Sequence, residues 1–183
     1  MLVGIPEVMA IVLAVCPTLP SPPGGGQEIW IQTGEGIREK NFALVHIQAY
    51  TISHWVKTQP STSTRSAMID LEADKRFSIR MLRDVGASRM KGMFRDAFAL
   101  NGYRDLAKVE TFLAAFTRDF TNGDRVEIAY VAEGQTTSIS VQGGGSATLQ
   151  GMDFMRAVWS LWFGQTDQPA LGEALISGQR IRK

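Results

Sequence analysis

The chain has 183 residues, enough for one substantial core, and its 44% hydrophobic and 20% charged content is that of a folded protein rather than a disordered one. A formal net charge of +1, with acids interleaved among bases, removes any broad electrostatic attraction to nucleic acid. The single cysteine excludes an internal disulfide and, with two histidines, leaves no zinc spacing, so neither a metal nor a cofactor is expected.

The N-terminal stretch "VMAIVLAV" (8 to 15) has the apolar character of a secretory signal, but Glu7 precedes it where Lys or Arg belongs, and no small-x-small cleavage site follows. "LAVC" approaches a lipoprotein box, with Val15 in place of the small residue before Cys16. The run is too short to span a bilayer as a helix, so no integral membrane span is expected. A degenerate export signal and an apolar leader packed on the domain both fit, leaving the cytoplasm and the periplasm as alternatives. "PSPPGGG" then interrupts any regular element. Residues 1–26 are therefore read as leader and linker, and residues 27–183 as one domain, expected to be monomeric.

"EIWIQT" (28 to 33) alternates as a strand and leads to a glycine corner at Gly34–Gly36. A long strand is expected from Phe42 to Trp55. One parity holds Ala43, Val45, Ile47, Ala49 and Thr51; the other holds Phe42, Leu44, His46, Gln48 and Tyr50, larger side chains with polar tips. A short helix capped by Ser63 or Thr64 follows, then a strand over 76 to 85 with Phe77, Ile79 and Met81 on one side. Met90, Met93, Phe94, Ala97 and Phe98 form a helical stripe ending at Gly102, and Leu106, Val109, Leu113 and Phe116 form another. "RVEIAYVA", "TTSISVQ" and "SATLQ", separated by glycine-bearing turns, read as a meander. The helix "MDFMRAVWSLWFG", stopped by Gly164, and a short helix from Pro169 with Leu171, Ala174 and Leu175 close the chain. Strands and helices are segregated, so the fold class is α+β: a large antiparallel sheet with helices on one face.

In their order and spacing, "GEGIREKNFALVHIQAY", "IRMLRDV", "NGDRVEIAYV" with "TTSISVQGGG", and "MDFMRAVWSLWFG" resemble the chalcone isomerase-like family, most closely its compact bacterial members, over roughly residues 28 to 178. The resemblance implies an open-faced β-sandwich with a cleft between sheet and helices. Members of that family either cyclise chalcones, bind fatty acids, or assist flavonoid synthesis without catalysis. The family's arginine after its Gly-x-Gly segment falls on Arg38, and its second polar strand position falls on His46, a departure from the usual Thr or Tyr. Asn101 and Tyr103, in the shortened "FALNGYRDL", stand for the isomerases' asparagine and tyrosine. The late-helix hydroxyl position falls on Leu161, which cannot donate a hydrogen bond.

From the residues themselves, Arg38 offers a planar fork matched to a carboxylate, or a surface ion pair with Glu35 or Glu39. His46 is a proton donor near neutrality or a hydrogen-bonded core residue. Extended backbone would separate it from Arg38 by about 26 Å, unless "EKN" reverses the chain. Gln48 and Tyr50 share its parity. The methionines, Trp159 and Trp162 suit a core, or the wall of a cleft for apolar ligands. The expected ligand is a small amphipathic or aromatic molecule, with Arg38, His46, Gln48, Tyr50, Asn101, Leu161 and Trp162 around it. The main expectation is a binding protein for a fatty-acid-like carboxylate. The alternative is an intramolecular lyase in which Arg38 and His46 are catalytic.

Overall fold

The strand expected from Phe42 to Trp55 starts at Val45, and Phe42 ends a separate strand that runs through the two glycines. In the computed structural model, which describes residues 29–42, 45–58 and 60–178, strand β1 covers Ile31–Phe42 and strand β2 covers Val45–Val56. Phe42 pairs with Val45, so the chain reverses there and not at "EKN". Gly34 and Gly36 make no corner; they lie inside β1. The remaining elements follow as α1 (Arg65–Asp70), β3 (Lys75–Met81), α2 (Ala87–Leu100), α3 (Leu106–Leu113), β4 (Arg125–Val131), β5 (Thr136–Val141), β6 (Ser146–Gln150), α4 (Met152–Phe163) and α5 (Pro169–Ala174). The expectations about leader and export fall on residues 1–28, outside the described ones. No helix among the described residues is long and apolar enough to cross a membrane.

The six strands form one antiparallel sheet in chain order, β1 to β6. Alternation decides its two faces. Phe77, Ile79 and Met81 of β3, Val126, Ile128 and Tyr130 of β4, and Ile139 and Val141 of β5 are buried, while their neighbours Ser78, Arg80, Glu127 and Ser140 are not. The five helices cover the buried face, and the other face stays open, which is the α+β open-faced arrangement. Helix α4 is the keystone: Phe154, Met155, Val158, Trp159, Trp162 and Phe163 are all buried, so its apolar surface extends almost around the helix.

Local chemistry fixes the ends. Thr64 caps α1, its Oγ1 accepting from Ala67 N at 3.2 Å. Gly102 takes φ 76° at the end of α2, a left-handed turn that suits glycine. The third strand stops at Met81, four residues early, and Val85 makes only an isolated bridge to Phe120. Phe116 lies beyond the end of α3 but is buried all the same.

Candidate functional site

The site begins with a bulge. Arg38 pairs with Tyr50, but the next pair is Glu39 with Gln48, so Ala49 is an extra residue on β2. Because side chains alternate, one extra residue exchanges the faces. From Tyr50 onward the even residues Tyr50, Ile52, His54 and Val56 turn to the helices and are buried. Before the bulge, Ile47 takes that side, and His46 and Gln48 turn to the open face, where both are exposed.

This separates residues that the sequence placed together. His46 pairs with Asn41; its ring is 54% exposed and its Nε2 lies 3.1 Å from Glu39 Oε1. Gln48 Nε2 donates to the same oxygen at 3.0 Å. That hydrogen bond, followed by the contact with His46, holds the Glu39 carboxyl below the usual range. His46 and Gln48 thus form a surface cluster on the opposite face from Arg38. The second polar position beside Arg38 is Tyr50, not His46.

Arg38 points inward, its side chain 12% exposed. Nη2 donates to Asp167 Oδ1 at 2.6 Å and Nη1 to Gln168 Oε1 at 3.3 Å. Gln168 is itself bound to β1: Glu39 N donates to its Oε1 at 3.0 Å, and its Nε2 donates to Ile37 O at 3.0 Å. Lys40 Nζ lies 3.8 Å from Asp167 Oδ2. Burial pushes the Asp167 carboxyl up, but the hydrogen bond and charge of Arg38, with Lys40, outweigh it and keep the group ionised. Tyr50 receives a hydrogen bond from Trp162 Nε1 at 3.1 Å, which leaves its own O–H free to donate. Burial raises the phenol above its ordinary value, so Tyr50 remains a neutral donor.

These groups border a cavity of about 320 Å³ between the β1–β2 end of the sheet and helices α2 and α4, walled by Phe94, Leu100, Leu161 and Trp162. A second chamber of about 150 Å³ shares Arg38, Lys40, Tyr50, Met90 and Met93, and reaches Ile47, Arg83 and Arg89. The larger volume falls within the range of small-molecule sites. Of the sequence-derived residues, the cavity brings together Arg38, Tyr50, Leu161 and Trp162. Asn101 is a strut: its Nδ2 donates to Ala97 O and Gln165 O, and its Oδ1 accepts from Gln165 N at 2.8 Å. Tyr103 donates to Asp153 Oδ2 at 3.0 Å and packs on Phe98 and Phe154.

Lys40 and Asp167 were missed. Asp167 comes from 129 residues away, and nothing local in "QTDQP" marks it as the partner of Arg38. The histidine with the more constrained surroundings is His54, which is fully buried between Thr33 and Trp159. Among the described residues no group of three His, Cys, Asp or Glu is arranged to hold a metal ion. A cation and a phenolic donor thus stand together at the edge of an apolar hollow, chemistry that suits an oxyanion, whether a ligand's head or a charge that develops in a reaction.

Comparison with known proteins agrees in fold. Residues 26–173 match the family described as chalcone isomerase-like. The fold is similar to that of a fatty-acid binding protein from Arabidopsis thaliana, with a TM-score of 0.67 and 11% identity over 85% of this chain and 90% of that one. No curated protein matches the chain by sequence.

Proposed function

The chain belongs to the chalcone isomerase-like family, and from that premise we propose that it is a non-catalytic or weakly catalytic binding protein for an amphipathic, fatty-acid-like carboxylate. The observation that carries this reading is the direct pairing of Arg38 and Tyr50 on the helix-facing side of β1 and β2, at the edge of the 320 Å³ cavity. Arg38 supplies charge and Tyr50 a neutral O–H, so a carboxylate is met by two kinds of donor. The apolar wall receives the tail. Burying roughly ten methylenes contributes about 8 kcal/mol before the entropic cost of association. The charge-assisted hydrogen bond at the head adds about 1.5–3 kcal/mol. The Arabidopsis neighbour, described as a fatty-acid binding protein, supports the same reading by analogy of fold.

The test is titration of delipidated protein and its Arg38→Ala variant with dodecanoate, accompanied by mass spectrometry of molecules that co-purify with the protein. Binding by the unaltered chain and loss in the variant are expected. Equal affinities would remove Arg38 as the anchor.

An intramolecular lyase is the second reading, favoured by the same pair, because a cation and a phenol aimed into one cavity also stabilise a developing oxyanion. It requires turnover of a chalcone above the spontaneous rate. The binding reading expects little or none.

A further inference from the structure

The cleft is uneven in charge. Its larger chamber sets Arg38 and Lys40 against two carboxylates, Asp96 and Asp167. The smaller chamber keeps the same two cations and adds Arg83 and Arg89, against Asp84 alone. Asp84 is partly engaged elsewhere, its Oδ1 accepting from Asn122 N at 2.9 Å. Elsewhere on the surface Arg65 has Glu173, Arg95 has Glu110, Arg118 has Asp124 and Arg156 has Asp70 beside it, while Arg80, Arg104 and Arg125 have no ion pair among the described residues. Arg83 and Arg89 have no such partner among the described residues. At the start of α2, Ala87 N donates to Asp119 Oδ1 at 2.8 Å, which sets that carboxylate beside Gly86 at the rim of this chamber.

From this asymmetry we infer that the smaller chamber receives the ligand's head and that the head carries two negative charges, one answered by Arg38 and the other by Arg83 and Arg89. The inference rests on the binding reading above and narrows it. Asp167 answers Arg38 and Lys40, and Asp84 is the chamber's own acid, so four cations meet two carboxylates; a doubly charged head offsets that surplus, and a single carboxylate offsets less of it. Guanidinium forks accept either chemistry that supplies two charges in one head, a phosphate monoester or a paired dicarboxylate. The tail then passes Met90 and Met93 into the larger chamber, where Phe94, Leu161 and Trp162 provide the apolar wall.

Dodecanoate, dodecyl phosphate and dodecylmalonate share an alkyl chain and differ in head charge. Each is titrated into the full chain near pH 7.5 at low and at high salt. The expected result is that a doubly charged amphiphile binds about tenfold more tightly than dodecanoate at low salt, the size two exposed arginines supply together. That preference shrinks as salt screens the chamber. In an Arg83→Gln, Arg89→Gln double variant the ratio falls to within about twofold. A gain shared by phosphate and malonate assigns the effect to charge alone, and a gain for phosphate alone assigns it to a phosphate ester. A ratio near one in the unaltered chain, with dodecanoate bound, overturns the inference and leaves the binding reading intact. A tenfold ratio that survives the double substitution overturns the role of Arg83 and Arg89. Failure of all three amphiphiles to bind removes the binding reading and this inference with it.

Discussion

Arg38 and Tyr50 are direct partners in the β1–β2 ladder, and both face the helices because Ala49, the extra residue on β2, resets the alternation immediately before Tyr50. The pair makes separable contributions to holding an anion. Arg38→Ala is expected to weaken dodecanoate binding by about 10- to 100-fold, the range of a lost charge-assisted hydrogen bond, with Arg38→Lys between that variant and the unaltered protein. Tyr50→Phe removes a neutral donor and is expected to cost about three- to tenfold. Calorimetric titration measures all three, and urea unfolding of the same samples separates binding from stability. Tyr50→Phe binding as tightly as the parent would show that the hydroxyl serves Trp162 alone.

Asp167 occupies the place a ligand carboxylate would take on Arg38, 2.6 Å from Nη2. Its side chain is 58% exposed, so the pair adds little to folding, but it competes with any incoming anion. Asp167→Asn keeps the shape and removes the charge. The expected outcome is dodecanoate affinity raised about three- to tenfold with the unfolding midpoint nearly unchanged. Weaker binding in the variant would show that Asp167 holds Arg38 in position instead of competing for it.

Strands β3 to β6 and helices α2 to α4 were legible because their apolar residues keep a clean period, as at Phe77, Ile79 and Met81 or at Met90, Phe94 and Phe98. The β1–β2 hairpin was not. "NFALVH" carries no glycine or proline where the chain reverses, and the bulge at Ala49 leaves no compositional mark, yet that one residue moves His46 and Gln48 to the opposite face. Among the residues that border the cavity, Arg38, Tyr50, Leu161 and Trp162 were legible in the sequence. Asp167 and the cap made by Asn101 depend on how the loop after α4 closes over the end of α2, which is a property of packing and not of local pattern.

The glycines misread as a corner are sites of close approach. Gly34 lies across from His54 on the covered face, where a Cβ would overlap the carbonyl oxygen of Ala174 in α5. At Gly36 a Cβ would come within 2.5 Å of Leu171 Cδ1, the flexible end of a side chain. Gly34→Ala must therefore move backbone, and Gly36→Ala need only turn a leucine. Gly34→Ala is expected to lose about 2–3 kcal/mol or more and Gly36→Ala about 1 kcal/mol, measured by urea unfolding. Equal losses would mean that α5 shifts freely on β1.

His54 should make the fold sensitive to acid. Its Nε2 accepts from Trp159 Nε1 at 2.9 Å, so the ring proton sits on Nδ1 and donates to Thr33 Oγ1 at 2.7 Å. Thr33 passes a hydrogen bond on to Leu175 O, also at 2.7 Å, and one chain of bonds thus ties β1, β2, α4 and the end of α5 together. A proton on Nε2 would set two donors against each other in a pocket closed by Phe77 and Phe163. Burial first, and the charge of Lys75 second, lower the ring's pKa from 6.5 to about 3. The unfolded chain therefore binds this proton more readily than the folded one. The contribution of His54 to stability is full above pH 6.5 and falls as the pH drops toward 3, by roughly 1.4 kcal/mol per pH unit. Lys75, lowered by burial to about 7, acts in the same direction but only between pH 7 and its ordinary value of 10.5, outside the acid window. Urea unfolding between pH 6.5 and 4.5 should show a loss of roughly 2.5 kcal/mol, above the range where most carboxylates titrate. His54→Gln can keep one donor and one acceptor but cannot take up the proton. It is expected to be less stable at pH 7 and nearly flat across the window, and a variant that retains the parent's slope would place the acid sensitivity elsewhere.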